Sequence, residues 1–298
     1  MTGIVTVYGC MVALGVLAAI VLFLFGTRKT ELAHHASELA LCCIPAGLAS
    51  ARLLYVLFRL PFYAMMGFEH ILYLREGGFL LYGAAAGVLL AAWGLGRRKR
   101  LDIGQPWDAL AIPGLICIAI CRLGEGSVGE GLGNWVEDEA LAVFPLAVLN
   151  PYGEPQWAVF IGEAAAAVVM ALVLAAKKDT FAGQRLPAGL VMYAACQIVF
   201  ESLRMDSVLK IGFVRVSQVI SAVILLAVTV YGHLSCGDKQ GAARGAAGIL
   251  LLATVVGILE WAIEKTQVSN LIIYGVMILA VLAMMFISLR AVGRRKNA

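Results

Sequence analysis

Long apolar runs separated by short polar segments dominate this chain. Nine of them come close to or exceed the roughly 20 apolar residues that a membrane-spanning helix needs. They lie at about 4–25, 39–60, 77–95, 105–122, 157–176, 186–203, 213–233, 245–263 and 269–289. The pattern predicts an all-α, polytopic integral membrane protein.

Lys and Arg set the orientation of such a chain, because they are retained on the cytoplasmic side. Arg28 and Lys29 follow the first run, and Arg97, Arg98, Lys99 and Arg100 follow the third. Lys177, Lys178 and Arg185 follow the fifth, Lys239 and Arg244 the seventh, and Arg290, Arg294, Arg295 and Lys296 the ninth. Fifteen of the 23 basic residues thus follow odd-numbered runs. The segment between runs four and five instead carries Glu125, Glu130, Glu137, Asp138, Glu139 and Glu154, without Lys or Arg. An outside N-terminus and a cytoplasmic C-terminus are expected. The first Lys or Arg is Arg28, so the positive leader of a cleavable signal is missing and the first run is expected to be retained.

Composition sharpens the class. Apolar residues make up 61% and charged residues 14% of the chain, against about 45–50% and about 25% in ordinary globular proteins. Disordered, disulfide-scaffold and nucleic-acid-binding classes are excluded, and the net charge of +4 reads as a topology signal. Six of the seven cysteines fall inside apolar runs, and no CxxC pair occurs, which favours packing thiols over disulfides.

A few polar residues interrupt the runs. At about 1.5 Å per residue, Tyr8, Arg52, Tyr82, Arg122, Glu163, Glu201, Arg204, Arg215 and Gln218 all fall towards the outer ends of their spans. Asp108 lies towards the inner end of span four. A central Arg or Asp costs about 2.5 to 3.5 kcal/mol on insertion scales, so residues at one level should pair or line a wet cavity. Arg122, Arg204 and Arg215 can alternatively snorkel to head groups, and Glu201 and Arg204, spaced i,i+3, can neutralise one another. Glu163 has no local partner, which favours a deeper role or a cross-helix pair. Both readings of the set, pairing and cavity, place a polar pocket in the outer leaflet.

Gly124-Glu125-Gly126-Ser127-Val128-Gly129 fits GxGxxG. The dinucleotide fingerprint requires a strand before it and a helix after it in a βαβ unit. Here the segment follows a membrane run, and the nucleotide reading is rejected. A glycine-rich turn beside Arg122 still suits backbone N–H contact with a phosphate.

Several segments together resemble the bacterial prolipoprotein diacylglyceryl transferase family. Ala51-Arg52-Leu53-Leu54-Tyr55-Val56-Leu57-Phe58 is similar to its GARLxYVLF segment, and Gly77-Gly78-Phe79-Leu80-Leu81-Tyr82-Gly83 to GGMSFHG. Residues 122–133 resemble the signature GRxGNFxNGExxG, and Asp108, fourteen positions before Arg122, matches the family's Asp-to-Arg spacing. Gln197-Ile198-Val199-Phe200-Glu201-Ser202-Leu203-Arg204 resembles RFxxEFFR, Ser217-Gln218-Val219-Ile220-Ser221 resembles MGQxLS, and Tyr8-Gly9 matches WYG. Order and spacing agree over about residues 5–235.

The resemblance implies a core of seven spans over residues 1–235, with residues 236–298 an added C-terminal hairpin. It implies transfer of a diacylglyceryl group from phosphatidylglycerol to the lipobox cysteine of a prolipoprotein, at the outer face of the bacterial cytoplasmic membrane, with no cofactor and no metal. The partners implied are phosphatidylglycerol or a related phospholipid, a prolipoprotein signal peptide and the bilayer. A permanently charged, forked cation suits phosphate binding. Arg122 is expected to contact phosphate, with Glu201 and Arg204 as site architecture or a second phosphate clamp. Tyr82 stands at the family's motif His among the catalytic positions. Tyr8, Arg52, Gly124, Glu130, Gly133, Gln197 and Gln218 are expected at the substrate.

The chain departs from the family at Tyr82 (His), Glu125 (Asn) and Gln197 (the first Arg of RFxxEFFR), and HPSQLYE is largely gone. Pro155 or Glu163 fits that last motif, but no register fits both. Two other readings therefore stand beside the transferase: a paralogue that binds or modifies a different lipid or thiol, and a small-solute transporter.

Overall fold

A computed structural model describes residues 6–73, 77–150, 152–177, 182–206, 209–211, 214–265 and 270–294. Lys178, Arg295 and Lys296, three of the basic residues used above for orientation, lie outside this set. Nine long helices are present among the described residues: α1 (Val7–Thr27), α2 (Ala36–Phe58), α4 (Leu81–Arg98), α5 (Gly104–Glu125), α6 (Val159–Ala176), α7 (Arg185–Leu203), α8 (Val216–Leu234), α9 (Lys239–Lys265) and α10 (Asn270–Arg294). A short α3 (Leu60–Met66) follows α2. The protein is an all-α polytopic membrane protein.

Eight of the nine long helices are long and apolar enough to cross a membrane; α4 is the exception. The third run was expected from residue 77, but Gly77 and Gly78 adopt φ of +72° and +78° and delay the helix to Leu81. What remains is 18 residues containing four glycines and ending in Arg97 and Arg98. At the other end of the chain, α9 starts at Lys239 rather than near 245. There Asp238 caps the helix by accepting the Gly241 N–H at 2.7 Å. Hydropathy alone does not see such polar helical ends.

The chain forms two compact units, residues 20–110 and residues 1–19 with 111–298. Within the first, α2 packs along α4. The approach is close because α4 presents small residues. A Cβ at Gly83 would stand 2.6 Å from the Ser50 carbonyl oxygen, and one at Gly87 would strike the Ala46 carbonyl. Phe23, Leu32, Leu39, Cys43 and Ala92 form the apolar core of this unit.

In the second unit α6 packs on α7, and α7, α8, α9 and α10 pack on one another. Val191, Ala194, Ile198, Leu225, Ile249, Met277 and Met284 fill the centre of that bundle. Thr229 and Ser288 share a buried hydrogen bond of 2.8 Å between α8 and α10. Between α5 and α6 the chain forms a β-hairpin of β1 (Ala147–Leu149) and β2 (Pro155–Trp157). A β-bridge between Gly133 and Arg204 ties this connection to the residue after α7. A second two-stranded element, β3 (Lys210–Ile211) and β4 (Val214–Arg215), leads into α8. Many large apolar side chains of the helices, such as Leu17, Val21, Leu172, Leu251 and Leu279, remain exposed, as expected of surfaces that face lipid.

Candidate active site

Successive helices of the second unit run in alternate directions, so the end of α5, the start of α6, the end of α7 and the start of α8 meet at one end of the bundle. Each brings charge there. Arg122 lies in the last turn of α5, Glu163 in the first turns of α6, Tyr193, Gln197 and Glu201 along α7, and Arg204 is the C-cap of α7. Positions 193, 197 and 201 are spaced i,i+4, so they form a stripe on one face of α7.

Arg122 uses its planar fork on several partners. One Nη donates to Glu125 Oε1 at 2.6 Å, and the other reaches the Tyr193 hydroxyl at 3.3 Å and Gln197 Oε1 at 3.5 Å. Its Nε lies 3.3 Å from Glu163 Oε2 as an ion pair without hydrogen-bond alignment. Gln197 donates its amide to Glu163 Oε1 and Glu201 Oε2, each at 3.1 Å.

Arg204 faces the same carboxylates from the other side. Its Nη1 donates to Glu125 Oε2 and to Glu163 Oε2, each at 2.9 Å. Its Nε and Nη2 grip Asp206 bidentately at 3.0 and 2.8 Å. Asp206 also accepts the Gly131 N–H at 2.8 Å, which fastens the glycine-rich segment to the end of α7. Gly131 has φ of +72°, and a Cβ there would meet Phe160 at 2.6 Å, so this turn is open to glycine alone. Glu163 is only 4% exposed, and Glu125 and Arg204 8% each. Buried ions of this kind persist only when paired and hydrogen-bonded.

Groups outside the spans respond to this field. Burial alone would lower Arg204, but the Asp206 hydrogen bond and the charges of Glu163 and Glu125 overcome it and hold the guanidinium well above its usual value. Burial also works against ionised Asp206; the hydrogen bond and charge of Arg204 and the Gly131 N–H outweigh it and keep this carboxyl low. Glu130, at the rim, is pushed up by partial burial and then by Glu125 and Asp206.

A supporting layer holds Arg204 in place. Arg215 donates one Nη to the Glu201 carbonyl and the other to the Arg204 carbonyl, the latter at 2.6 Å. Gln218 accepts the Arg215 N–H at 3.1 Å and donates to the Ile198 carbonyl at 3.2 Å and to Glu260 of α9. Gly124 makes room for α1: a Cβ there would stand 2.7 Å from Met11 Cβ and 3.3 Å from the Tyr8 ring.

The other unit has a separate polar centre. Arg52 is 6% exposed and donates to the carbonyls of His70 at 2.8 Å, Ile71 at 3.0 Å, Gly78 at 3.2 Å and Tyr73 at 3.4 Å, and also to that of Gly77. Its guanidinium thus holds the segment that leads to α4, where half-buried Tyr82 lies in the first turn.

Of the residues expected from sequence, Arg122, Gln197, Glu201 and Arg204 are brought into one network with Glu163. Gln218 supports it, and Gly133, Gly124 and Tyr8 shape its surroundings. Sequence reasoning passed over Tyr193, Asp206 and Glu260 as members. The i,i+4 stripe on α7 was a readable signal for Tyr193; nothing local marks Glu260. Among the described residues no group of His, Cys, Asp and Glu is arranged to hold a metal ion.

A family model described as prolipoprotein diacylglyceryl transferase matches residues 3–233, which includes every side chain of this network except Glu260. The chain belongs to the prolipoprotein diacylglyceryl transferase family. Relatives of this transferase include phosphatidylglycerol–prolipoprotein diacylglyceryl transferase 1 of Clostridium perfringens, 27% identical, with 78% of this chain and 92% of the relative covered. The phosphatidylglycerol–prolipoprotein diacylglyceryl transferase of Clostridium kluyveri is 29% identical over 78% of this chain and 93% of its own length. That of Enterococcus faecalis is 30% identical over 63% of this chain and 70% of its own. The match of the family ends one residue before the end of α8, so α9 and α10 lie beyond it.

Proposed function

We propose that this enzyme transfers the diacylglyceryl group of a glycerophospholipid, phosphatidylglycerol in the names of its relatives, to the lipobox cysteine of a prolipoprotein, at the outer face of the cytoplasmic membrane. The observation that carries the reading is the convergence of Arg122 and Arg204 on one anion-sized position, now held by the Glu125 carboxylate. Two forked cations at one buried point form a site for a phosphate that gains charge as it leaves.

In the reaction the cysteine sulfur bonds to the terminal glycerol carbon of the lipid. The carbon–oxygen bond to the phosphate breaks, and the head-group phosphate departs with that oxygen. The thiol proton is released in the same exchange, to the departing phosphate or to water. Arg122 makes the phosphate contact and Arg204 the second clamp, while Gln197 and Glu201 orient them. Within its own unit, Arg52 orders the segment that leads to Tyr82. The outer-face assignment rests on the acidic segment between α5 and α6 and on the basic residues after odd-numbered spans.

Thioether lipidation of a lipobox peptide by the purified protein in phospholipid micelles tests this reading. Product from the wild type and none from Arg122→Ala is expected. No product from the wild type, or undiminished product from Arg122→Ala, overturns it.

A further inference from the structure

The arginines of this site are already matched by acids. Arg122 and Arg204 are bonded or ion-paired to Glu125, Glu163 and Asp206, and Gln197 links Glu201 to the same network. With the acids ionised, the carboxylates of Glu125, Glu163, Glu201 and Asp206 stand with the guanidiniums of Arg122, Arg204 and Arg215, so the cluster keeps an excess negative charge without any ligand. A further anion entering it adds repulsion to desolvation.

The three paired acids are not held alike. Glu163 also accepts the Gln197 amide, and Asp206 also accepts the Gly131 N–H. Glu125 has no donor but the two arginines among the described residues, one on each carboxylate oxygen at 2.6 and 2.9 Å. It is therefore the carboxylate that an incoming phosphate can displace. Once displaced, it is a buried anion beside the head group without a cation of its own, and that state is costly unless the ligand supplies one. A head group with an ammonium does so; a glycerol head group leaves Glu125 uncompensated.

We propose that Glu125 is the head-group-selecting residue, and that the preferred donor is a zwitterionic, amine-bearing glycerophospholipid. Its phosphate takes the place of the Glu125 carboxylate on Arg122 and Arg204, and its ammonium pairs with the displaced Glu125. This assignment rests on the transferase reading above. With phosphatidylethanolamine the thioether forms at the same glycerol carbon, and phosphoethanolamine leaves with the bridging oxygen and takes up the thiol proton.

The test uses the full-length protein in mixed detergent micelles, with phosphatidylethanolamine or phosphatidylglycerol as sole glycerophospholipid. Mass spectrometry follows the lipidated peptide and the released phosphoethanolamine or glycerol phosphate. The wild type is expected to favour phosphatidylethanolamine in kcat/KM by about tenfold or more, the effect of one strong charge pair. Glu125→Gln and Glu125→Asn are expected to lose that preference and to gain activity on phosphatidylglycerol. A wild type that prefers phosphatidylglycerol, or a ratio unchanged in both variants, overturns the proposal. If the variants do not yield monodisperse protein, the wild-type ratio decides alone. No thioether from either lipid overturns the transferase reading itself, which separates that failure from a wrong donor.

Discussion

The side-chain amide of Gln218 in α8 donates to the buried carboxylate of Glu260 in α9. Glu260 lies outside the segment matched by the family, and Gln218 lies inside it. Through the Arg215 N–H that Gln218 accepts and the Arg204 carbonyl that Arg215 holds, α9 braces one of the two site arginines. Glu260→Ala leaves one N–H of a buried amide without its acceptor, which costs about 1–3 kcal/mol. Thermal unfolding in detergent should show that loss for Glu260→Ala and most of it restored in Glu260→Gln, which can still accept.

Arg204→Ala removes the partner of Glu125, Glu163 and Asp206 at once. Breaking a buried ion network from one side costs about 3–5 kcal/mol, and stability should fall accordingly. Arg204→Lys should keep part of that stability, since charge remains, but lose the bidentate grip on Asp206. Differential scanning of both variants distinguishes charge from geometry; an Arg204→Lys variant as stable as the wild type would refute the geometric role.

Arg122→Lys should retain the fold and lower turnover by about 10²-fold or more, the scale on which a single transition-state donor acts. Its point charge can meet only some of Glu125, Glu163, Tyr193 and Gln197 together. Product formation under saturating lipid measures this directly.

Asp206 gives a dependence on pH. Its carboxyl lies lower in the folded protein than the ordinary value of about 3.9. Such a group stabilises above the unfolded value and loses that contribution as pH falls through the folded value. The stability gap between the wild type and Asp206→Asn should therefore be constant near neutral pH and shrink in acid below about pH 4. A gap that stays constant down to pH 2 would contradict the ion pair with Arg204.

Gly83→Ala tests the close approach of α2 and α4. The new methyl would stand 2.6 Å from the Ser50 carbonyl oxygen, against backbone that cannot swing away. Overpacking of this kind costs about 1–3 kcal/mol. Gly94→Ala, with open space around its Cβ position, should show no such loss in the same unfolding assay.

Sequence alone determined the helical, membrane-spanning class, because some twenty apolar residues in a row satisfy the bilayer whatever their neighbours. It also marked Arg122, Glu163, Glu201 and Arg204, because charge inside an apolar run stands out in one dimension, and Gln197 through the family resemblance. Helix ends were not legible in hydropathy: Gly77 and Gly78 delay α4 beyond its expected start, and Asp238 advances α9 ahead of its own. Which charges meet was decided by the tertiary structure. Arg204 pairs with Glu125 and Glu163 across 79 and 41 positions, and Arg52 spends its donors on loop carbonyls. Packing and backbone path fix such partners, and neither is written in hydropathy or spacing. Glu125 shows the difference most plainly: along the chain it is an acid in a glycine-rich turn, and in the fold it occupies both arginines of the site.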